Sequence, residues 1–309
     1  MTQKKKRQGT KARIKAERER DRRIATTIFL ASILLIVIFS TYFSYTFLNH
    51  PQSQTVNSEP SQLKAAIVDQ LSLSIPNQTF VDASTTILEE AGYVVDYYKG
   101  EKVTVDFYRN LATHGYSLII LRVHSALGST NNPPLALFTS EIYTTTKYIS
   151  EQWNDQVTRV FFNSEIYKDS NYYFGVLPDF IKQRMNGKFD NTVIIMMGCD
   201  GITYLGGNYR YVGMAKAFIE RGAKVYISWS GPVLGSYSDE ATINLLQNLI
   251  KEKQTIRKAI ENTMMKIGSD PMYKSVLQFY PREAENDVVF LFTSGLIINV
   301  AETKKYDSG

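Results

Sequence analysis

Residues 118–125 read Leu-Ile-Ile-Leu-Arg-Val-His-Ser, and residues 193–201 read Val-Ile-Ile-Met-Met-Gly-Cys-Asp-Gly. The first run is rich in branched apolar residues and reads as a strand over 118–123. The second, 193–197, is continuously apolar, the pattern of a strand buried on both faces of a parallel sheet. Each run ends in a side chain capable of chemistry: His124 follows the first, and Cys199, the only cysteine of the chain, follows the second after a glycine. In open α/β sheets functional groups collect at the carboxyl ends of the strands. Parallel neighbours lie about 4.8 Å apart, so residues ending adjacent strands can face one substrate. A cysteine near a histidine can act as nucleophile beside a general acid/base. Each residue alone has a plainer reading, the cysteine as a small buried hydrophobe and the histidine as a hydrogen-bonded loop residue; their matched placement favours chemistry.

Outward from these two runs, the sequence alternates. Residues 65–71 form a short apolar run; 80–90 show helical spacing at Phe80, Ala83, Ile87 and Leu88; 93–98 read as a strand. A helix is expected over 103–113, with Val103, Phe107 and Leu111 on one face. Short strands at 135–139 and 158–162 and a helix at 177–185 fill a less regular middle. Beyond Cys199 come a helix at 214–221, a strand at 224–229, helices near 239–251 and 255–267, and a last strand at 288–292. Strand–helix–strand repetition with short connections implies an α/β domain over 63–300, a mostly parallel sheet with helices on both faces. Gly206-Gly207-Asn208 reads as turn chemistry, since no Lys-Ser/Thr follows to make a phosphate loop.

Composition narrows the functions. The chain has 309 residues, 35 Lys+Arg against 30 Asp+Glu, and three histidines. One cysteine excludes a disulfide framework, a Cys-rich zinc site and an iron–sulfur cluster, and no metal or organic cofactor is expected. Residues 1–23 hold eleven basic and three acidic side chains, 11 − 3 = +8, which leaves 24 − 27 = −3 for the rest. A body of net negative charge disfavours nucleic acid as a partner.

No charged residue occurs from Ile24 to Asn49. An apolar helix of about 20 residues crosses the hydrocarbon core, so 24–48 is expected to be one transmembrane anchor in contact with lipid. It is longer than the ~7–15 residue apolar region of a cleaved signal peptide. Tyr42, Phe43, Tyr45 and Phe47 cluster at its far end, as interfacial aromatics do. The cationic segment 1–23 before it is expected to stay in the cytoplasm, placing the C-terminal body outside the cell membrane's cytoplasmic face. Residues 49–62, with two prolines and many small polar residues, read as a linker.

The order apolar block–His, then apolar block–Cys, resembles the caspase-like fold of cysteine peptidases (clan CD), the group of caspases, legumains, gingipains, separases and CHAT proteases. The blocks are LIILRVHSA and VIIMMGCDG. Downstream, residues 221–229 (RGAKVYISW) resemble the Gly-Ala, apolar strand, Trp segment of CHAT proteins, and 239–246 and 255–260 resemble the helices after it. The resemblance covers about 63–270. It implies a membrane-anchored cysteine peptidase acting on a peptide or protein substrate, with Cys199 as nucleophile and His124 as base and later proton donor. It also implies an oxyanion site made by the backbone N–H groups of Cys199 and Ser125. Asp200 and Trp229 are the candidates for substrate contact. Ser125 stands where the family usually has glycine, and Asp200 puts a negative charge beside the thiol. The long His–Cys interval implies an insertion over 126–176. The alternatives are a catalytically silent domain of the same fold serving as a surface binding module, and another hydrolase on a doubly wound sheet.

Overall fold

The computed structural model describes residues 33–42, 62–129, 133–161, 171–205 and 210–289. The chain divides into two units, Met1–Glu59 and Pro60–Gly309. In the first, residues 33–42 are helical with exposed side chains. Among the described residues no helix is long and apolar enough to cross a membrane. The basic segment 1–23, the rest of the expected anchor at 24–48, and all but the last residue of the linker lie outside the described residues.

The second unit is built on a six-stranded sheet. Its strands are β1 (Lys64–Asp69), β2 (Val94–Lys99), β3 (Leu118–Arg122), β8 (Val193–Met196), β11 (Val225–Trp229) and β12 (Leu277–Tyr280). They run in the order β12-β11-β8-β3-β1-β2. All pairings are parallel except β11 with β12. Successive residues of the inner strands feed opposite layers, as the two-residue period of a strand requires. Ala66, Val68, Ile119 and Leu121 enter one core with helices Val105–Asn110, Pro178–Arg184 and Gly213–Glu220. Ala65, Ile67, Leu118 and Ile120 enter the other, with helices Gln78–Glu90, Gly235–Leu246 and Ile256–Ile267. A mostly parallel sheet covered on both faces is what the alternation of the sequence implied.

The helix ends have local causes. Asn77 caps Gln78–Glu90, its side-chain oxygen accepting from Phe80 N at 3.1 Å; Thr255 caps Ile256–Ile267 in the same way through Lys258 N. The helix expected over 103–113 is shorter, Val105–Asn110, and tightens into a 3-10 turn at Leu111–Thr113. The helix expected to 251 is α-helical only to Leu246, and Gln247–Lys251 continues as a π-helical turn. The strand expected at 288–292 is replaced. Val288 makes an isolated bridge to Thr255, residues 290–292 lie outside the described part, and the last sheet strand among the described residues is β12, which begins eleven residues nearer Cys199 than the apolar run suggests.

The interval between His124 and the helix Pro178–Arg184 holds a second, antiparallel sheet of four strands. These are β4 (Ser125–Leu127), β5 (Leu135–Ile142), β6 (Val157–Phe161) and β7 (Tyr172–Val176), in the order β4-β5-β7-β6. One face, with Leu135, Leu137, Val157, Phe174 and Val176, packs into the first core. The other carries a small separate cluster of Ala136, Phe138, Val160 and Leu177. Between β8 and the helix Gly213–Glu220, β9 (Thr203–Tyr204) and β10 (Arg210–Tyr211) form a separate two-stranded ribbon, and Gly206-Gly207-Asn208 between them lies outside the described residues.

Candidate active site

His124 and Cys199 lie two residues past β3 and three past β8, which are neighbours. The pairing sets Leu118 against Val193 and Leu121 against Met196, and Met197 N donates to Leu121 O at 2.9 Å, so the same register continues beyond the last named pair. His124 and Cys199 each follow within three residues of the end of this pairing, Cys199 in the turn that closes β8. The two chains remain in contact there. Ser125 Oγ donates to the Cys199 carbonyl at 2.6 Å, and a Cβ on Gly198 would stand 2.5 Å from Val123 O. Gly201 is under the same constraint from the opposite neighbour, where a Cβ would come 2.6 Å from Ser228 Cβ of β11. The Gly-Cys-Asp-Gly turn is therefore pressed between β3 and β11. Asp200 takes a left-handed backbone, φ 60°, and donates its N–H to Gly231 O at 3.0 Å.

The thiol sits in a backbone cradle. Val233 N donates to Cys199 Sγ at 3.4 Å, and Sγ faces Val233 O at 3.8 Å. That cradle is fixed from behind by Asp270, a buried carboxylate that accepts from Leu234 N (2.9 Å), Met272 N (2.9 Å) and Tyr273 N (2.6 Å). Ser275 Oγ donates to Pro232 O at 2.6 Å and clamps the same loop. Burial pushes the Cys199 thiol above its ordinary pKa, and the charges of Asp200 and Asp270 add to the shift against the opposing pull of the Val233 backbone. Burial likewise raises the Asp200 carboxyl, opposed by its hydrogen bond with Thr203.

His124 is held by the segment after β1. Its backbone N–H donates to Gln70 Oε1 at 3.0 Å, its ring Nε2 lies 3.4 Å from Ser74 Oγ, and its ring packs 6.0 Å from that of Phe138. Burial, followed by the positive charge of Arg122, lowers its pKa to about 4. Both shifts favour the uncharged forms, a neutral imidazole and a neutral thiol, at physiological pH.

Below the histidine lies a buried ionic cluster. Arg122 is fully buried, bonds Asp69 through Nη1 at 2.7 Å, and grips Asp239 through Nε (2.7 Å) and Nη2 (2.8 Å). Nη2 also reaches Ile75 O at 2.8 Å, and Asn77 Nδ2 donates to Asp239 Oδ2 at 2.8 Å. The cluster thus ties the 69–77 segment, which carries Gln70 and Ser74, to β3. Burial raises Asp69 despite the pull of Arg122.

Ser125 begins β4. Phe138 N donates to His124 O at 2.9 Å and Gly128 N to Pro134 O at 3.1 Å, so residues 124, 126 and 128 point their backbone groups at β5. The Ser125 N–H is directed away from that strand. Trp229 is a correction. It is fully buried, donates Nε1–H to Ser238 Oγ at 2.9 Å, and packs on Tyr237, so it is a core residue without surface for a substrate. Gln70, Ser74, Val233 and Asp270 escaped the sequence reading; only Asp270 had a signal, the Ser-Asp-Pro turn signature at 269–271. Among the described residues no cluster of His, Cys, Asp and Glu could hold a metal ion.

No protein-family model matches the chain, and no curated protein matches it either. Among solved structures, the crystal structure of the Arg-specific cysteine proteinase gingipain R (RgpB) aligns at 14% identity with a TM-score of 0.40. The alignment covers 74% of this chain and 44% of that one, so the chain spans less than half the length of that structure. This is a distant likeness, and it carries no weight as to activity.

Proposed function

We propose that the protein is a caspase-like cysteine peptidase, anchored by 24–48 with residues 1–23 in the cytoplasm and the domain outside it. The observation that supports the reading is that His124 and Cys199 follow the ends of adjacent parallel strands by two and three residues, with Ser125 Oγ on the Cys199 carbonyl. The neutral imidazole takes the thiol proton as sulfur attacks the scissile carbonyl. The oxyanion is met by the Ser125 and Cys199 N–H groups, the kind of donor worth about 3–4 kcal/mol in the transition state. The imidazolium then protonates the leaving amine, and water resolves the acyl-enzyme with His124 again as base. Burial and Arg122 disfavour the imidazolium and make His124 a weak base at rest.

The same neutral pair supports the second reading, a silent domain that binds peptides without cleaving them, because no preformed thiolate is present. Turnover separates the two: the full chain in intact cells is offered fluorogenic peptides added outside, with a membrane-impermeant thiol reagent as a probe of topology. A peptidase with this topology cleaves them, and Cys199→Ala and His124→Ala each abolish cleavage. Binding without cleavage, or cleavage that persists in Cys199→Ala, overturns the nucleophile; reaction of Cys199 with the reagent only after lysis overturns the topology.

A further inference from the structure

We propose that the cavity on the outer face of the four-stranded sheet is the pocket for an apolar side chain of an extended peptide that pairs with the free edge of β4. The proposal deepens the peptidase reading and rests on it. The cavity measures 230 Å³, and Ala126, Ala136, Phe138, Val160 and Leu177 are among its walls. That is below the ~300–1,000 Å³ of pockets that enclose drug-sized molecules, so it suits one or two side chains. Its lining side chains are apolar apart from Thr158 and Arg159, over a wall of mixed polarity, and Arg159 is stacked 4.3 Å from the Tyr172 ring centroid. The space exists because small residues line it. Gly175 lies beneath, where a Cβ would come 2.7 Å from Val160 Cγ1.

Two observations connect the cavity to the reacting centre. Phe138 is a shared wall, lining the cavity while its ring centroid lies 6.0 Å from that of His124. β4 starts at Ser125, ends the sheet order, and among the described residues has β5 as its strand partner. Because 124, 126 and 128 bond towards β5, the N–H and C=O groups of Ser125 and Leu127 face away from it, Ser125 from a buried position beside Cys199, a two-residue repeat that an added strand could pair with. A peptide whose scissile carbonyl meets the Ser125 N–H would meet Leu127 two residues along. Ala126, between them, lines the cavity. The side chain received therefore belongs within two residues of the bond cleaved.

The test uses the full chain in lipid nanodiscs and hexapeptides of Gly and Ser with photoleucine at each position in turn. With the Cys199→Ala chain, crosslinks are expected within 126–138 or 158–161, reduced at least tenfold by Ala126→Phe, which fills the cavity from an exposed position, and retained by Ala126→Ser. With the native chain, cleavage should favour leucine over glycine at the matching position by about tenfold or more. Crosslinks elsewhere, none at all, or crosslinks indifferent to Ala126→Phe overturn the pocket. Crosslinks as expected without cleavage uphold the pocket and overturn the catalytic reading instead.

Discussion

In the six-stranded sheet the central strands are sealed on both sides: Leu118 to Arg122 are all fully buried, including the arginine. In the four-stranded sheet β6 alternates, with Val157 and Val160 buried and Arg159 and Phe161 exposed. The two sheets also treat arginine in opposite ways. Arg122 is locked between two buried carboxylates, whereas Arg159 lies on the surface over a tyrosine ring. One sheet fixes a geometry at its carboxyl edge, and the other leaves a face and an edge open beside it. Rigidity thus lies under His124 and Cys199, and openness next to them.

The sharpest test of that contrast is at the two arginines. Removing the cation from a buried cluster leaves uncompensated charge and costs about 3–5 kcal/mol. Arg122→Met is expected to lose that much in a denaturant titration of the full chain, and to loosen the 69–77 segment that holds His124. Arg159→Met should change stability by less than ~0.5 kcal/mol, as exposed substitutions do. If the two variants are equally stable, the buried cluster is not what holds this edge.

The same contrast explains what the sequence could and could not disclose. Residues 118–123 and 193–197 were legible because burial on both faces leaves only apolar choices, and the residues ending them were legible because a sheet's carboxyl edge is where the chain turns. The strands β4 and β7 were not foreseen. β4 is three residues long, and Tyr172–Val176 mixes aromatics with glycine next to residues of no clear period. β12 was missed because Leu277–Tyr280 is half-buried at an edge, while the more apolar 288–292 drew the expectation further along the chain. At the proposed site, Cys199 and His124 stood out by their placement after the two apolar runs, and Ser125 only through the resemblance. Their supports did not, because Gln70, Ser74 and Val233 reach them only through the fold. Trp229 was assigned to substrate on resemblance alone, yet a tryptophan ending a central strand has the core as its nearest apolar surface.

A smaller effect is expected from acid. His124 has a folded pKa near 4 against 6.5 for the unfolded chain, so between those values the unfolded state binds more protons. Its contribution to stability is complete above about pH 6.5 and is lost as pH falls towards 4. At ~1.4 kcal/mol per pKa unit the loss is at most about 3 kcal/mol. Denaturation midpoints measured across pH 7 to 4 should fall more steeply in the native chain than in His124→Gln, and the acid limb of any peptidase activity should lie nearer 4 than 6.5. A histidine titrating at 6.5 would show that solvent reaches the ring freely, and the sealed edge would then be an error.

The smallest effect uses the chain's two tryptophans, which report one region each. Trp229 ends β11 and is fully buried, while Trp153 precedes β6 on the helix Ile149–Trp153 and is 84% exposed. Trp153→Phe should shift stability by no more than ~0.5 kcal/mol, since an exposed side chain leaves no cavity behind. It should also remove most of the fluorescence that acrylamide quenches, leaving the blue-shifted, protected emission of Trp229. Trp229 is a donor to Ser238 Oγ, which in turn donates to Met197 O two residues before Cys199. Its residual emission is therefore a spectroscopic gauge of the floor beneath the thiol. Binding of a peptide at β4 should leave that emission unchanged if the six-stranded sheet is as rigid as its packing implies; a shift on binding would mean that the two sheets move together.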